Sequence, residues 1–142
     1  MSAYIDTSAL AAYYMPEAIT DEVQALLKAN PIPTISELVH LELYSALAIR
    51  VRTDALPSED AERIKILFEE HVRDGLYFKD ALTPLHFEQA RAWIGRFDLP
   101  LKGPDGLHLV LAVLGDKRLV TADQQLARNA ERIGAAVHLV GA

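Results

Sequence analysis

The sequence contains no cysteine. Disulfides, thiolate metal sites, iron–sulfur clusters and cysteine nucleophiles are therefore excluded together, and a reducing compartment is compatible with the chain. Long apolar runs are also missing. The best candidate, Leu107 to Leu114, falls well short of the roughly 20 residues that a bilayer-spanning helix needs. No basic segment followed by an apolar one opens the chain, so no signal peptide is expected, and the expected location is the cytoplasm, with no membrane contact. Neither a Gly-x-Gly-x-x-Gly nor a P-loop pattern occurs, which argues against dinucleotides and nucleoside triphosphates. Positive charge is in the minority, with 14 Lys+Arg against 20 Asp+Glu, a formal net charge of −6 and a pI near 5.3. Taken alone, that balance argues against a nucleic-acid partner, which usually meets a basic footprint.

What is present fits one globular domain over residues 1–142, long enough for a hydrophobic core, with 51% hydrophobic and 24% charged residues. Repeats, low-complexity tracts and linker-like stretches are absent, and the seven Pro and seven Gly are scattered. Ala3-Tyr4-Ile5 reads as a short buried strand ending at Asp6. A helical pattern follows from Ser8, breaks near Pro16 and resumes from Ala18 to Lys28. Pro31 to Ile35 reads as extended, because proline disfavours helix at and before itself. A long helix is predicted from Ser36 to Thr53. A polar helix, N-capped by Ser58, runs to Arg73 and is closed by Gly75. Leu76-Tyr77-Phe78 is a predicted strand, and Thr83-Pro84 has the order of a helix start, for a helix to Phe97. A further helix opens at Gly103-Pro104-Asp105. The strand Lys117–Thr121, a helix from Asp123 to Ile133 stopped by Gly134, and the strand Ala136–Val140 complete the chain. Strands alternating with helices predict an α/β fold with a mostly parallel sheet covered on both faces.

Four carboxylates stand out against this frame. In open α/β sheets, functional groups gather outside the carboxyl ends of the strands. Asp6 and Asp123 each sit just past a predicted strand, where each also serves as an N-cap of the following helix. Asp105 lies in the first turn of its helix, where a negative charge suits the helix dipole. Glu42 sits between Leu41 and Leu43 on a helix that is apolar nearly all round from Leu38 to Val51, the pattern of a buried helix. An ionised Glu there is costly unless paired or bound to a cation. Its polar neighbours, Ser45 and Arg50, are not obvious fixed partners, although a structural salt bridge remains an alternative. Should the four acids converge, their mutual repulsion would call for a divalent cation. All-oxygen ligation suits Mg²⁺ or Mn²⁺, and such an ion supports phosphodiester hydrolysis.

The segments Tyr4-Ile5-Asp6-Thr7-Ser8-Ala9-Leu10, Ser36-Glu37-Leu38 through Glu42-Leu43-Tyr44-Ser45-Ala46-Leu47, Pro104-Asp105-Gly106-Leu107-His108-Leu109 and Leu119-Val120-Thr121-Ala122-Asp123 occur in order, the last two Asp 18 positions apart. In this the chain resembles PIN-domain proteins, specifically VapC-type ribonuclease toxins of type II toxin–antitoxin pairs, over essentially its whole length. The resemblance implies a three-layer α/β/α sandwich and an acidic pocket for Mg²⁺ or Mn²⁺ formed by Asp6, Glu42, Asp105 and Asp123. Asp6 and Asp105 match the commonest direct ligands, while Glu42 and Asp123 would hold a second ion or orient water. Ser8 and Thr121 match hydroxyl positions that support the acids. Members hydrolyse RNA, are usually homodimers, and are silenced by a small antitoxin protein that wraps over the pocket. One departure is Gly106, where the family more often has Ala. It lowers helix propensity by about 1 kcal/mol and is expected to loosen Asp105 without touching the ligand set.

Other readings compete. His40-Leu41-Glu42 has the His-x-Glu of zinc deaminases but lacks their cysteine pair. Asp6-Thr7-Ser8 suggests a phospho-acceptor aspartate, yet the second acid such phosphatases need two residues on is Ser8 here. A catalytically inactive PIN-like binding module would show damage among the four acids, and none is missing. His108, three residues after Asp105 on the same helix face, is either a ligand or a residue packed near the pocket rim. His71, His86 and His138 earn no role. The apolar surface of the Ala18–Val51 unit would serve a homodimer or an antitoxin, with Tyr13, Tyr14 and Met15 either joining it or belonging to the core.

The charge can then be divided. Residues 57–74 carry −3 and the proposed pocket acids −4, which leaves +1 for the remainder, with Arg50, Arg52, Arg96 and Lys102 near helix ends. The acidic total is thus largely one solvated helix plus a pocket that a cation would neutralise, and it does not exclude RNA.

Overall fold

Five short parallel strands form a single sheet in the order β3-β2-β1-β4-β5 in the computed structural model, which describes residues 1–29 and 32–142. The strands are β1 (Ala3–Ile5), β2 (Thr34–Ser36), β3 (Phe78–Asp80), β4 (Arg118–Thr121) and β5 (Val137–Leu139). Between them lie the helices α1 (Thr7–Tyr14), α2 (Thr20–Ala29), α3 (Glu37–Arg52), α4 (Ser58–Arg73), α5 (Pro84–Ile94), α6 (Gly103–Leu114) and α7 (Gln124–Arg132). This is the expected three-layer α/β/α sandwich. Parallel strands need crossover connections, and the helices supply them. No helix among the described residues is long and apolar enough to cross a membrane.

The chain winds from β1 outward to β2 and β3, then returns across β1 to β4 and β5. The order therefore reverses between β1 and β4, and that is where a doubly wound sheet opens a crevice at the carboxyl ends of its strands. Every residue of β1 is buried, as a central strand covered on both faces requires. Tyr4, Ile5, Leu10, Ile35, Leu43, Leu109, Leu119 and Leu126 are among the largest fully buried side chains and make the core continuous across the sheet. Tyr14 and Met15 belong to this core, while Tyr13 is half-buried against it.

Several local expectations shift. The third strand lies at Phe78–Asp80, two residues later than predicted. Gly75, at φ +76°, ends α4, and the Leu76 N–H returns to the His71 carbonyl at 3.0 Å, so Leu76 is committed to the helix end. Tyr77 then enters the core and Phe78 begins the pairing with β2. Ser58 is the first residue of α4, not its cap; Pro57 holds the cap position, and its carbonyl accepts the Asp60 and Ala61 N–H groups. Of the expected extended segment 31–35, Pro31 lies outside the described residues, and β2 covers Thr34–Ser36.

Helix α3 is not buried all round. Its inward stripe is Val39, Leu43 and Leu47, four residues apart, whereas Leu41 and Ile49 are 69% and 48% exposed. Glu42 therefore stands half-buried on the flank of this stripe and not inside the core. Gly106 also acquires a packing role. A Cβ there would lie 3.2 Å from Ile94 Cδ1 and 3.5 Å from Ala90 Cβ, so the missing side chain lets α5 approach α6 closely.

Candidate metal centre at the strand switch point

Each of the four acids is carried to the crevice by a different piece of the fold. Asp6 follows β1 directly and caps α1, its Oδ1 accepting the Ala9 N–H at 3.0 Å and the Ser8 hydroxyl at 2.7 Å. Asp123 follows β4 and caps α7, its Oδ1 accepting the N–H groups of Gln125 and Leu126 at 2.9 and 3.1 Å. Asp105 stands in the first turn of α6. Glu42 comes from the second turn of α3, where its Oε1 accepts the Thr7 hydroxyl at 2.7 Å and faces His108 Nε2 at 2.6 Å. The capping roles that rival a functional reading for Asp6 and Asp123 are thus real, but each occupies only one carboxylate oxygen.

The hydroxyl pair expected beside the acids is in place. Ser8 Oγ accepts the Ala122 N–H at 2.9 Å and lies 3.3 Å from Thr121 Oγ1. Thr121 Oγ1 in turn accepts the Asp123 N–H at 3.0 Å. The Asp6 N–H donates to the Val120 carbonyl at 3.1 Å, so the ends of β1 and β4 are fastened by both backbone and side chains.

Asp105 feels the charges of the other three acids. Burial pushes the Asp105 carboxyl above the usual aspartate range; the charges of Asp123, Asp6 and Glu42 push the same way, and only His108 opposes them. Asp6, 2% exposed, is also raised, by burial in the first place, against the opposing effects of His108, Thr121, Ser8 and the Ala9 N–H. For Glu42, burial is the largest influence and pushes upward. The hydrogen bond and charge of His108, with the Thr7 hydroxyl, outweigh it and hold the carboxyl below the usual range.

The donor chemistry fits a hard divalent cation: four carboxylates and neighbouring hydroxyls, without sulfur. Among the described residues, however, no group of three or more His, Asp or Glu side chains is placed to hold a metal ion together.

His40 is not part of this site. Its ring contacts Glu69 and the Lys79 ammonium, on the side of α3 facing α4 and β3. His108 is 3% exposed and lies beneath the pocket with Tyr4, not on its rim. Tyr4 and Thr7, which the motif reading did not single out, also belong to the support of the site. The available signal was the hydroxyl of a tyrosine inside a buried strand, which requires a partner. Of the four cations near helix ends, Arg50 pairs with Glu17 at 3.5 Å and Arg96 with Asp98 at 2.7 Å. Lys102 is exposed at the N-cap of α6, three residues before Asp105.

Several solved structures share this architecture. VapC20 of Mycobacterium tuberculosis, described as a sarcin-ricin loop cleaving toxin, is 18% identical with a TM-score of 0.70, over 95% of this chain and 97% of that one. VapBC2 of Rickettsia felis, solved on a fragment of promoter DNA, gives 15% and 0.68, over 98% of each chain. A toxin–antitoxin complex from Klebsiella pneumoniae gives 20% and 0.66, over 96% of this chain and 97% of that one. These likenesses concern the fold. No curated protein matches the chain in sequence. The PIN domain family model, by contrast, matches residues 3–132, nearly the full length, and the chain belongs to the PIN-domain family.

Proposed function

We propose that this protein is a metal-dependent endoribonuclease that hydrolyses RNA phosphodiester bonds as the toxin of a toxin–antitoxin pair. The observation that carries the reading is at Asp105, whose carboxyl is pushed up by burial first and then by the charges of Asp123, Asp6 and Glu42, each from a different element of a PIN-domain fold. A buried carboxyl crowded by other acids, as Asp105 is, is one whose ionisation a divalent cation would favour. Asp6 and Asp105 would hold Mg²⁺ or Mn²⁺, with Glu42 and Asp123 supporting them or serving a second ion. Bound there, the ion would polarise a phosphoryl oxygen and make a water acidic enough to attack.

The chain's own residues do the rest. Ser8 and Thr121 fix the loops that present Asp6 and Asp123. Glu42, kept ionised by His108 and Thr7, is an acceptor able to orient the attacking water. Hydrolysis adds that water across one P–O bond, leaving a phosphate end and a hydroxyl end. Exposed Lys102 offers positive charge next to the acids, where the RNA backbone would run.

The relatives described as a sarcin-ricin loop cleaving toxin and as toxin–antitoxin assemblies support RNA as substrate and a small antitoxin as partner. A homodimer working in the cytoplasm completes the reading. The test is cleavage of structured RNA by the purified protein with Mn²⁺ or Mg²⁺ against an EDTA control. Asp6→Asn should abolish cleavage while preserving the fold, since Asn still accepts the Ala9 N–H. Cleavage that survives either EDTA or this substitution would remove the assignment. A small protein co-purifying from the native host would identify the antitoxin.

A further inference from the structure

A buried chain of hydrogen bonds leaves α3 and returns to it. The Val39 N–H donates to Ser36 Oγ at 3.2 Å, Ser36 Oγ lies 2.9 Å from Tyr4 Oη, and Tyr4 Oη lies 2.8 Å from His108 Nδ1. His108 Nε2 then meets Glu42 Oε1 at 2.6 Å. Tyr4 and Ser36 are fully buried and His108 nearly so. The direction follows from donor chemistry. An ionised carboxylate only accepts, so Nε2 carries a proton. Nε2–H faces Glu42 whether the ring carries one proton or two, and Nδ1 pairs with the Tyr4 hydroxyl in either state, accepting from it or donating to it. Four elements thus hold one imidazole in a single orientation: β1, the end of β2, α3 and α6.

The consequence falls on Glu42. Both of its donors, His108 and Thr7, meet Oε1, and no hydrogen bond among the described residues involves Oε2. Asp105 and His108 are three residues apart on α6, so the same helix face brings an acid to the pocket and the imidazole beneath it. We propose that His108 is a positioning residue: held in orientation by Tyr4, it clamps Oε1 of Glu42 and so presents Oε2 to the cation and its water. This inference rests on the metal-dependent nuclease reading and adds to it a residue that touches neither the ion nor the RNA.

The experiment combines Mn²⁺ titration calorimetry, RNA-cleavage kinetics and ¹⁵N NMR of the histidine rings on the full chain. Outer partners of this kind are worth about 10- to 100-fold in metal affinity. His108→Leu should therefore weaken Mn²⁺ binding at least about 10-fold and lower kcat, with KM for RNA little changed. His108→Gln, whose amide N–H can replace Nε2–H, should recover most of the affinity. Glu42→Gln and the double variant His108→Leu/Glu42→Gln should be equally impaired, because His108 acts through Glu42. Tyr4→Phe, which removes only the hydroxyl, should shift the ¹⁵N resonances of the His108 ring and weaken Mn²⁺ binding several-fold; it carries the test if His108→Leu does not fold. Wild-type Mn²⁺ affinity in both His108→Leu and Tyr4→Phe, or additive losses in the double variant, would overturn the positioning role alone. Absence of both Mn²⁺ binding and cleavage in the wild-type protein would instead overturn the nuclease reading, and the positioning role with it.

Discussion

Ser8 donates its hydroxyl to Asp6 Oδ1 at 2.7 Å while accepting the Ala122 N–H at 2.9 Å. One side chain thus fastens the first acid to the loop that carries the fourth. Ser8→Ala breaks both bonds and removes a donor that favours the charged form of Asp6. The expected result is a loss of about 10-fold in Mn²⁺ affinity and about 1 kcal/mol in stability. Calorimetric titration and thermal unfolding measure the two separately, and Ser8→Thr should retain most of each.

Asp105→Asn should stabilise the metal-free protein. The folded-state pKa of Asp105 is raised, by burial first and then by Asp123, Asp6 and Glu42. The folded chain therefore holds this proton more tightly than the unfolded chain. Wild-type stability falls as pH rises from the unfolded value of about 3.9 through the higher folded one, and stays lower above it. Asn has nothing to ionise. Its metal-free Tm should exceed that of the wild type at pH 7, and the difference should close as the pH approaches 3.5. Added Mn²⁺ should raise the wild-type Tm and leave that of the variant nearly unchanged. A variant no more stable than the wild type at pH 7 would contradict the cost of ionising Asp105 in the fold.

Gly106→Ala places a methyl group 3.2 Å from Ile94 Cδ1. That atom ends a flexible, half-buried side chain, so it can yield by a few tenths of an ångström. The gain in helix propensity is up to about 1 kcal/mol. We expect Tm to rise by no more than about 4 °C, with cleavage unchanged. A fall in Tm would show that the close contact between α5 and α6 outweighs propensity.

Tyr14→Phe serves as a structural control. The Tyr14 hydroxyl meets Tyr77 Oη at 2.6 Å and His71 Nδ1 at 2.7 Å, at the end of α1 farthest from Asp6. Removing it should destabilise by about 1–2 kcal/mol. Denaturant unfolding reads that loss, while Mn²⁺ affinity should stay at the wild-type value.

Much of this protein is legible in one dimension. Local rules suffice for the strands β1 and β4, for Asp6 and Asp123 as caps, and for Thr83-Pro84 as the start of α5. Caps and short strands depend on neighbours within a few residues, so sequence patterns report them. The start of β3 escapes local rules because it depends on how α4 closes through Gly75 and Leu76. Helix α3 looked buried on every side because its exposed Leu41 and Ile49 are as apolar as its core stripe.

The identity and order of the four acids are properties of the sequence alone, and with them the excess negative charge. What surrounds those acids was decided only by the tertiary structure. Thr7 and His108 lie 35 and 66 positions from Glu42, and Tyr4 lies 104 from His108. No periodicity spans such gaps. They close because β1 pairs between β2 and β4, and α6 packs over it, bringing a strand tyrosine, a helix histidine and a helix glutamate into one buried line.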